Sequence, residues 1–213
     1  LPALVLLVGT DQRNVRAMTL PETFFDDEFS EHADVLARTH ETCRDGIERM
    51  LQVWASSIRR GGKILFFGNG GSAGDAQHLA TELSVRYKKD RAPIPALALT
   101  TDTSTLTAAG NDLGFEQIFA RQIEAIGRSG DVAVGISTSG KSPNVIAGLK
   151  MARERGLTPT ALTGYGGGEL YGLADPLIMV PSETTARIQE MHILIGQVLC
   201  GGLEIELGLV AKS

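Results

Sequence analysis

Five short apolar runs recur from Lys63 onward: KILFF (63–67), ALAL (96–99), DVAVGI (131–136), TPTALT (158–163) and PLIMV (176–180). Each is near-continuous in apolar character, as a strand buried on both faces must be. Between them apolar residues return at helical spacing over 72–87, 103–110, 114–127, 143–155 and 184–209. Alternating strand and helix units predict an α/β fold, a parallel sheet with helices on both faces. Ligands of such sheets bind beyond the carboxyl ends of the strands.

The segment 22–60 is also helical in pattern. Ile47, Met50, Leu51, Trp54 and Ile58 share one face, and Arg59, Arg60, Gly61 and Gly62 form a helix stop. The pattern predicts two helices here, meeting near Thr39–Thr42. The last helix is apolar nearly all round from Ile188 to Leu209. Such a helix needs burial on every side, so a subunit interface is predicted. Gln189, His192 and Gln197 interrupt its apolar surface and are expected to find polar partners.

Composition narrows the picture. The 213 residues suffice for one domain with a real core, here expected over 22–213. A net charge of −5 argues against nucleic acid as the main ligand. The one basic cluster, RYKKDR (86–91), reads as a solvated helix end and loop. Cys43 and Cys200 form no paired motif, which points to a reducing, cytoplasmic setting. No apolar run reaches the length of a membrane span. Residues 1–21 are expected to be a disordered or non-native extension, with a natural start near Met18.

Two loops at strand ends carry the candidate chemistry. GNGGSAGDAQH (68–78) follows KILFF; its glycines allow a sharp turn, and Ser72 with Asp75 has the spacing of a capping box. A helix beginning there offers an anion its N-terminus. Gly68, Gly70 and Ala73 also fit a dinucleotide pattern, but the expected acid comes late, at Asp102. The second loop, GISTSGKS (135–142), matches a nucleotide phosphate loop. Pro143 alters that reading, because proline belongs at the first helical position with Ser142 as N-cap. Lys141 then lies outside the helix, and four hydroxyls remain: Ser137, Thr138, Ser139 and Ser142. Hydroxyls beside a helix N-terminus hold a phosphate monoester without magnesium.

After the first loop, Asp75, His78, Glu82 and Arg86 fall on one helical stripe. It reads either as a surface stripe with a Glu82–Arg86 pair, or as His78 and Glu82 aimed together at a ligand. Histidine and glutamate share a metal, or the glutamate acts as base.

These segments, with Thr100–Asp112, LTGYGGGEL and RIQEMH, resemble the phosphoheptose isomerases, which are sugar isomerase (SIS) domain proteins. The resemblance implies a five-stranded flavodoxin-like sheet, N-terminal helices and a homotetramer with active sites between subunits. It implies isomerisation of sedoheptulose 7-phosphate to D-glycero-D-manno-heptose 7-phosphate. It places Ser137, Thr138, Ser139 and Ser142 on the phosphate, and Asn69, Gly70, Gly71, Ser72, Arg86, Asn111, Asp112 and Gln189 around the substrate. It assigns zinc to His78, Glu82 and Gln189, and the base to Glu82. The second catalytic position, usually a histidine and fourth zinc ligand, holds Gln197. Glutamine cannot shuttle a proton, and its amide is a weak zinc ligand. A paralogue that binds the replication initiator also lacks that histidine; the resemblance therefore carries a second, non-catalytic reading in which a sugar phosphate is still bound. That paralogue lacks the glutamate found here as Glu82.

Overall fold

The computed structural model describes residues 20–211; the extension predicted over 1–21 lies almost wholly outside the described residues. Six helices and five strands follow in the order α1 (Phe24–Arg59), β1 (Ile64–Gly68), α2 (Gly71–Ser84), β2 (Ala96–Ala98), α3 (Thr103–Asp112), α4 (Ile118–Ile126), β3 (Val132–Ser137), α5 (Pro143–Glu154), β4 (Thr158–Thr163), β5 (Leu177–Met179) and α6 (Thr185–Glu206). The strands form one sheet in the order β2-β1-β3-β4-β5, every pair parallel. All five predicted strands are present within a residue or two of their expected bounds.

Period-two alternation sorts the strand residues onto the two faces. Ile64, Phe66, Val132, Val134 and Ile136 turn toward α1, α2 and α6. Leu65, Phe67 and Ala133 turn toward α3, α4 and α5. Strand order reverses between β1 and β3, and this is where a parallel sheet opens its ligand crevice.

Residues 24–59 form one helix rather than the predicted two. No glycine or proline interrupts the run before Gly46. The Thr42 hydroxyl donates back to the Arg38 carbonyl at 2.8 Å, and Thr39 is buried. Threonines that seemed to mark a joint are thus absorbed into the ladder. Trp54 anchors the helix edge-on against Phe66, ring centroids 5.4 Å apart. Burying a side chain of this kind contributes about 3 kcal/mol. At the other end Arg187 is buried among Glu28, Glu31 and Glu190. The segment predicted as one helix over 114–127 opens instead with a 3-10 turn, Phe115–Gln117, before α4.

The long α1 covers part of α6. One face of α6 is buried inside this single chain, between α1, α2 and the sheet. Leu194 and Val198 stay exposed and, with Leu36, border an apolar groove of about 310 Å³ between α1 and α6.

Helix α2 stops at Ser84, three residues before its predicted end, and the cause is Arg91. Its guanidinium donates to the carbonyls of Glu82, Leu83 and Val85, which caps the helix. Glu204 of α6 accepts from Arg91 Nε at 2.8 Å, and both side chains are buried. The basic cluster is therefore only partly solvated: Arg86, Lys88 and Lys89 are exposed, whereas Arg91 is a structural cation.

Candidate active site

Two turns face each other across the crevice. In the turn after β1, Gly70 has φ +55°, a conformation other residues adopt at a cost. It is the N-cap of α2. The predicted capping box is absent: Ser72 lies inside the first helical turn and is buried. The first intrahelical bonds run from Ala73 and Gly74 to the carbonyls of Asn69 and Gly70. The positive end of α2 is thereby aimed at the crevice.

In the turn after β3, Ser142 is the N-cap and Pro143 the first residue of α5, as the sequence predicts. Its hydroxyl does not cap the helix; it meets Ser137 Oγ at 3.0 Å. Ser139 Oγ accepts from the Lys141 amide at 3.2 Å, and Lys141 lies outside the helix. The glycine-rich stretch after β4 braces this turn from behind. Gly140 has φ +64°, and the Gly167 carbonyl fills the space a Cβ would need. Glu169 N–H donates to Gly140 O, and Gly164 N–H to Thr138 O, each at 3.0 Å. Thr138, Ser139 and Lys141 open onto a cleft of about 440 Å³ that Tyr165 and Ser182 also line.

One residue between the turns escaped the sequence reading. Asn144, on α5 and buried, donates to Asn69 Oδ1 and accepts from Asn69 Nδ2, both at 2.8 Å. An asparagine in the first turn of a helix reads from sequence as ordinary; its partner is 75 residues away.

The polar stripe of α2 meets α6 along a seam. His78 Nε2 lies 3.0 Å from Glu82 Oε1 and 3.3 Å from Gln197 Nε2. These three side chains gather at one point of the seam. Glu82 thus faces His78, not Arg86, which is exposed beyond the end of α2. Gln189 lies at the other end of the seam. Its amide packs against Gly71, where a Cβ would stand 2.6 Å from Nε2. Eight residues of α6, about 12 Å of rise, separate it from Gln197. Asn111 and Asp112 are exposed at the end of α3, where Asn111 Nδ2 donates to Asp112 Oδ1 at 2.7 Å.

Two buried polar groups beside the seam lack partners. Asp75 Oδ2 is unpaired, and burial pushes that carboxyl up to about 6, partly offset by His78. His192 is fully buried, and neither ring nitrogen makes a hydrogen bond, contrary to the expectation that it would be satisfied. Burial lowers its pKa to about 4, and a backbone group of Thr163 offsets part of the shift. It faces β4 and takes no part in the His78 cluster.

Among the described residues no three side chains of His, Cys, Asp and Glu gather into one metal-binding group. One imidazole, one carboxylate and one amide do converge at His78. Rotating the Gln197 amide would present its oxygen. The set would then offer a metal two good ligands and one weak one.

Comparison with known proteins adds a family to this geometry. The SIS domain family matches residues 29–164. The chain is 59% identical to the phosphoheptose isomerase of Paramagnetospirillum magneticum, over 85% of its own length and 95% of the relative's. The phosphoheptose isomerase GmhA of Neisseria gonorrhoeae superposes with a TM-score of 0.80 at 42% identity, covering 85% of this chain and 97% of that one. A phosphoheptose isomerase of Francisella tularensis gives 0.83 at 35% identity, with the same coverage.

Proposed function

The chain belongs to the SIS-domain family, among the phosphoheptose isomerases, and from that membership we propose that it interconverts sedoheptulose 7-phosphate and D-glycero-D-manno-heptose 7-phosphate. One observation carries the reading: a carboxylate–imidazole pair beside two hydroxyl- and glycine-lined turns, in a chain 59% identical over 95% of a phosphoheptose isomerase.

In this reading the phosphate is held by Ser137, Thr138, Ser139 and Ser142 at the N-terminus of α5. The sugar extends across the crevice toward α2. Glu82 removes a proton from C1 and returns it to C2, so the carbonyl moves from C2 to C1 while one proton passes between the two oxygens. No net redox cofactor is needed. His78 Nε2 holds Glu82 Oε1 in place at 3.0 Å. The Gln197 amide lies 3.3 Å from His78 Nε2 and, being a neutral amide, has no proton to give up. The resemblance implies zinc on His78, Glu82 and Gln189, with Gln197 at the fourth-ligand position; of these, His78, Glu82 and Gln197 stand together and would hold the ion, and when bound it would polarise the substrate oxygens as a Lewis acid. Glu82 and His78 standing together favour the enzyme over the non-catalytic, initiator-binding reading, which rests on Gln197 and on the stretches RIQEMH and LTGYGGGEL.

A homotetramer is part of the proposal, supported by the apolar groove between α1 and α6 with its exposed Leu194 and Val198. So is a cytoplasmic location, supported by two free cysteines and by a phosphorylated sugar as substrate. No helix of the described residues is long and apolar enough to cross a membrane. NMR of sedoheptulose 7-phosphate incubated with the protein, with and without zinc, should reveal an aldose signal. Absence of turnover in both conditions would refute the assignment.

A further inference from the structure

We infer that Asn144 is a positioning residue: through its reciprocal amide pair with Asn69 it sets the gap between the phosphate turn after β3 and the proton-transfer pair on α2. The inference rests on the isomerase reading above and deepens it.

The orientation of the pair is determined by its surroundings. The Val145 N–H donates to Asn144 Oδ1 at 2.9 Å, so that atom must be the oxygen. Asn144 Nδ2 then faces Asn69 Oδ1, and Asn69 Nδ2 returns to Asn144 Oδ1, closing a two-bond ring. The β1–β3 ladder ends at Gly68 and Ile136. Beyond it the chains part into the two turns. Among the described residues, the hydrogen bonds that cross from one turn to the other are those of this pair. Asn144 is buried and Asn69 half-buried, so water competes poorly for these bonds.

Position matters here because the substrate is reactive at one end and anchored at the other. Its phosphate sits on C7, and the proton moves between C1 and C2. The distance from the serine turn to Glu82 therefore decides whether C1 meets the carboxylate, and for what length of carbon chain. A reacting atom displaced by about 1 Å costs about a hundredfold in rate. The phosphate contacts themselves stay with the serines; the hydrogen bonds of the Asn144 side chain go to Asn69 and Val145.

The test uses full-length Asn144→Ala, Asn69→Ala, the double variant and Asn144→Asp. The aspartate keeps the acceptor for Val145 N–H but sets a carboxylate oxygen against Asn69 Oδ1, so it remains informative if the alanine variant folds poorly. Asn144→Ala and Asn144→Asp should each lower kcat for sedoheptulose 7-phosphate by about 10- to 100-fold, with KM and the inhibition constant of inorganic phosphate within about threefold, whereas Asn69→Ala, which also removes a group beside the substrate, should lower kcat likewise and raise KM. The double variant should be no worse than the worse single one, as expected of one shared interaction. The preference for the seven-carbon substrate over fructose 6-phosphate, as a ratio of kcat/KM, should shrink. In ¹⁵N spectra the Asn69 side-chain amide should lose its exchange protection in Asn144→Ala. Unchanged kcat with only a lower melting temperature would overturn the inference, as would phosphate inhibition weakening in step with KM, or multiplicative losses in the double variant. If the wild type fails to turn over the heptulose phosphate, the isomerase reading falls. The amide protection still decides the pair: an unprotected Asn69 amide in the wild type overturns it.

Discussion

The turn after β3 and the seam between α2 and α6 are both polar, but they are built differently. The hydroxyls of the turn meet near neighbours, and a second loop supports them. Ser137 meets Ser142, Ser139 meets Lys141, and the backbone of 164–169 braces them from behind. The seam is assembled from distant ones: His78 and Gln197 stand 119 positions apart in sequence. A turn made locally keeps its geometry when one hydroxyl is lost. A cluster made across two helices depends on their packing and on every member. In the proposed function, binding falls to the robust region and proton transfer to the one that tertiary structure must hold in place.

The largest effect should come from the seam. Glu82→Gln removes the base while keeping a side chain of the same size, and kcat should fall by about 10²–10⁴-fold, read in the NMR assay. A variant retaining more than a tenth of the wild-type rate would show that the seam is not where the proton moves.

Next is His192, buried against Thr163 of β4. Its folded pKa of about 4 stands below the ordinary 6.5. Between those values the unfolded chain binds the extra proton, so stability is full above about pH 6.5 and is lost as pH falls toward 4. The loss amounts to roughly 3 kcal/mol. Asp75, raised to about 6, acts in the opposite sense, since its ionisation weakens the folded state as pH rises. Comparing His192→Leu with wild type in urea at pH 7 and pH 4.5 isolates the histidine, and the variant should lose markedly less stability on acidification. Equal losses would mean that His192 finds a partner after all.

The smallest effect belongs to the turn. Ser142→Ala removes one of four hydroxyls and leaves the helix N-terminus, so affinity for inorganic phosphate should weaken by about tenfold, measured by isothermal titration. Complete loss of binding would mean that the turn is as interdependent as the seam.

What could be read from the chain divides along the same line. The strands, the serine turn and Pro143 at the start of α5 were legible because period-two apolar runs and turn chemistry act over a few residues. The His78–Glu82 pair was legible for the same reason, as an i, i+4 spacing on one helix. Arg91 was misread as solvated because its partners, Glu204 and the carbonyls ending α2, become neighbours only after folding. The continuity of α1 was misread because two threonines weaken helix propensity, a preference that packing along α6 and the sheet overrides.

By itself the sequence determined an α/β sheet of parallel strands, a ligand side beyond their carboxyl ends and the hydroxyl-rich turn that the proposed function places on the phosphate. Tertiary structure alone decided that His78 and Glu82 face Gln197, that His192 is sealed away without a partner, and that Asn144 ties one turn to the other. The reason is physical: propensity and periodicity act between neighbours in the chain. A buried polar side chain is defined by whatever group packing brings within about 3 Å of it, and that group can lie anywhere in the sequence.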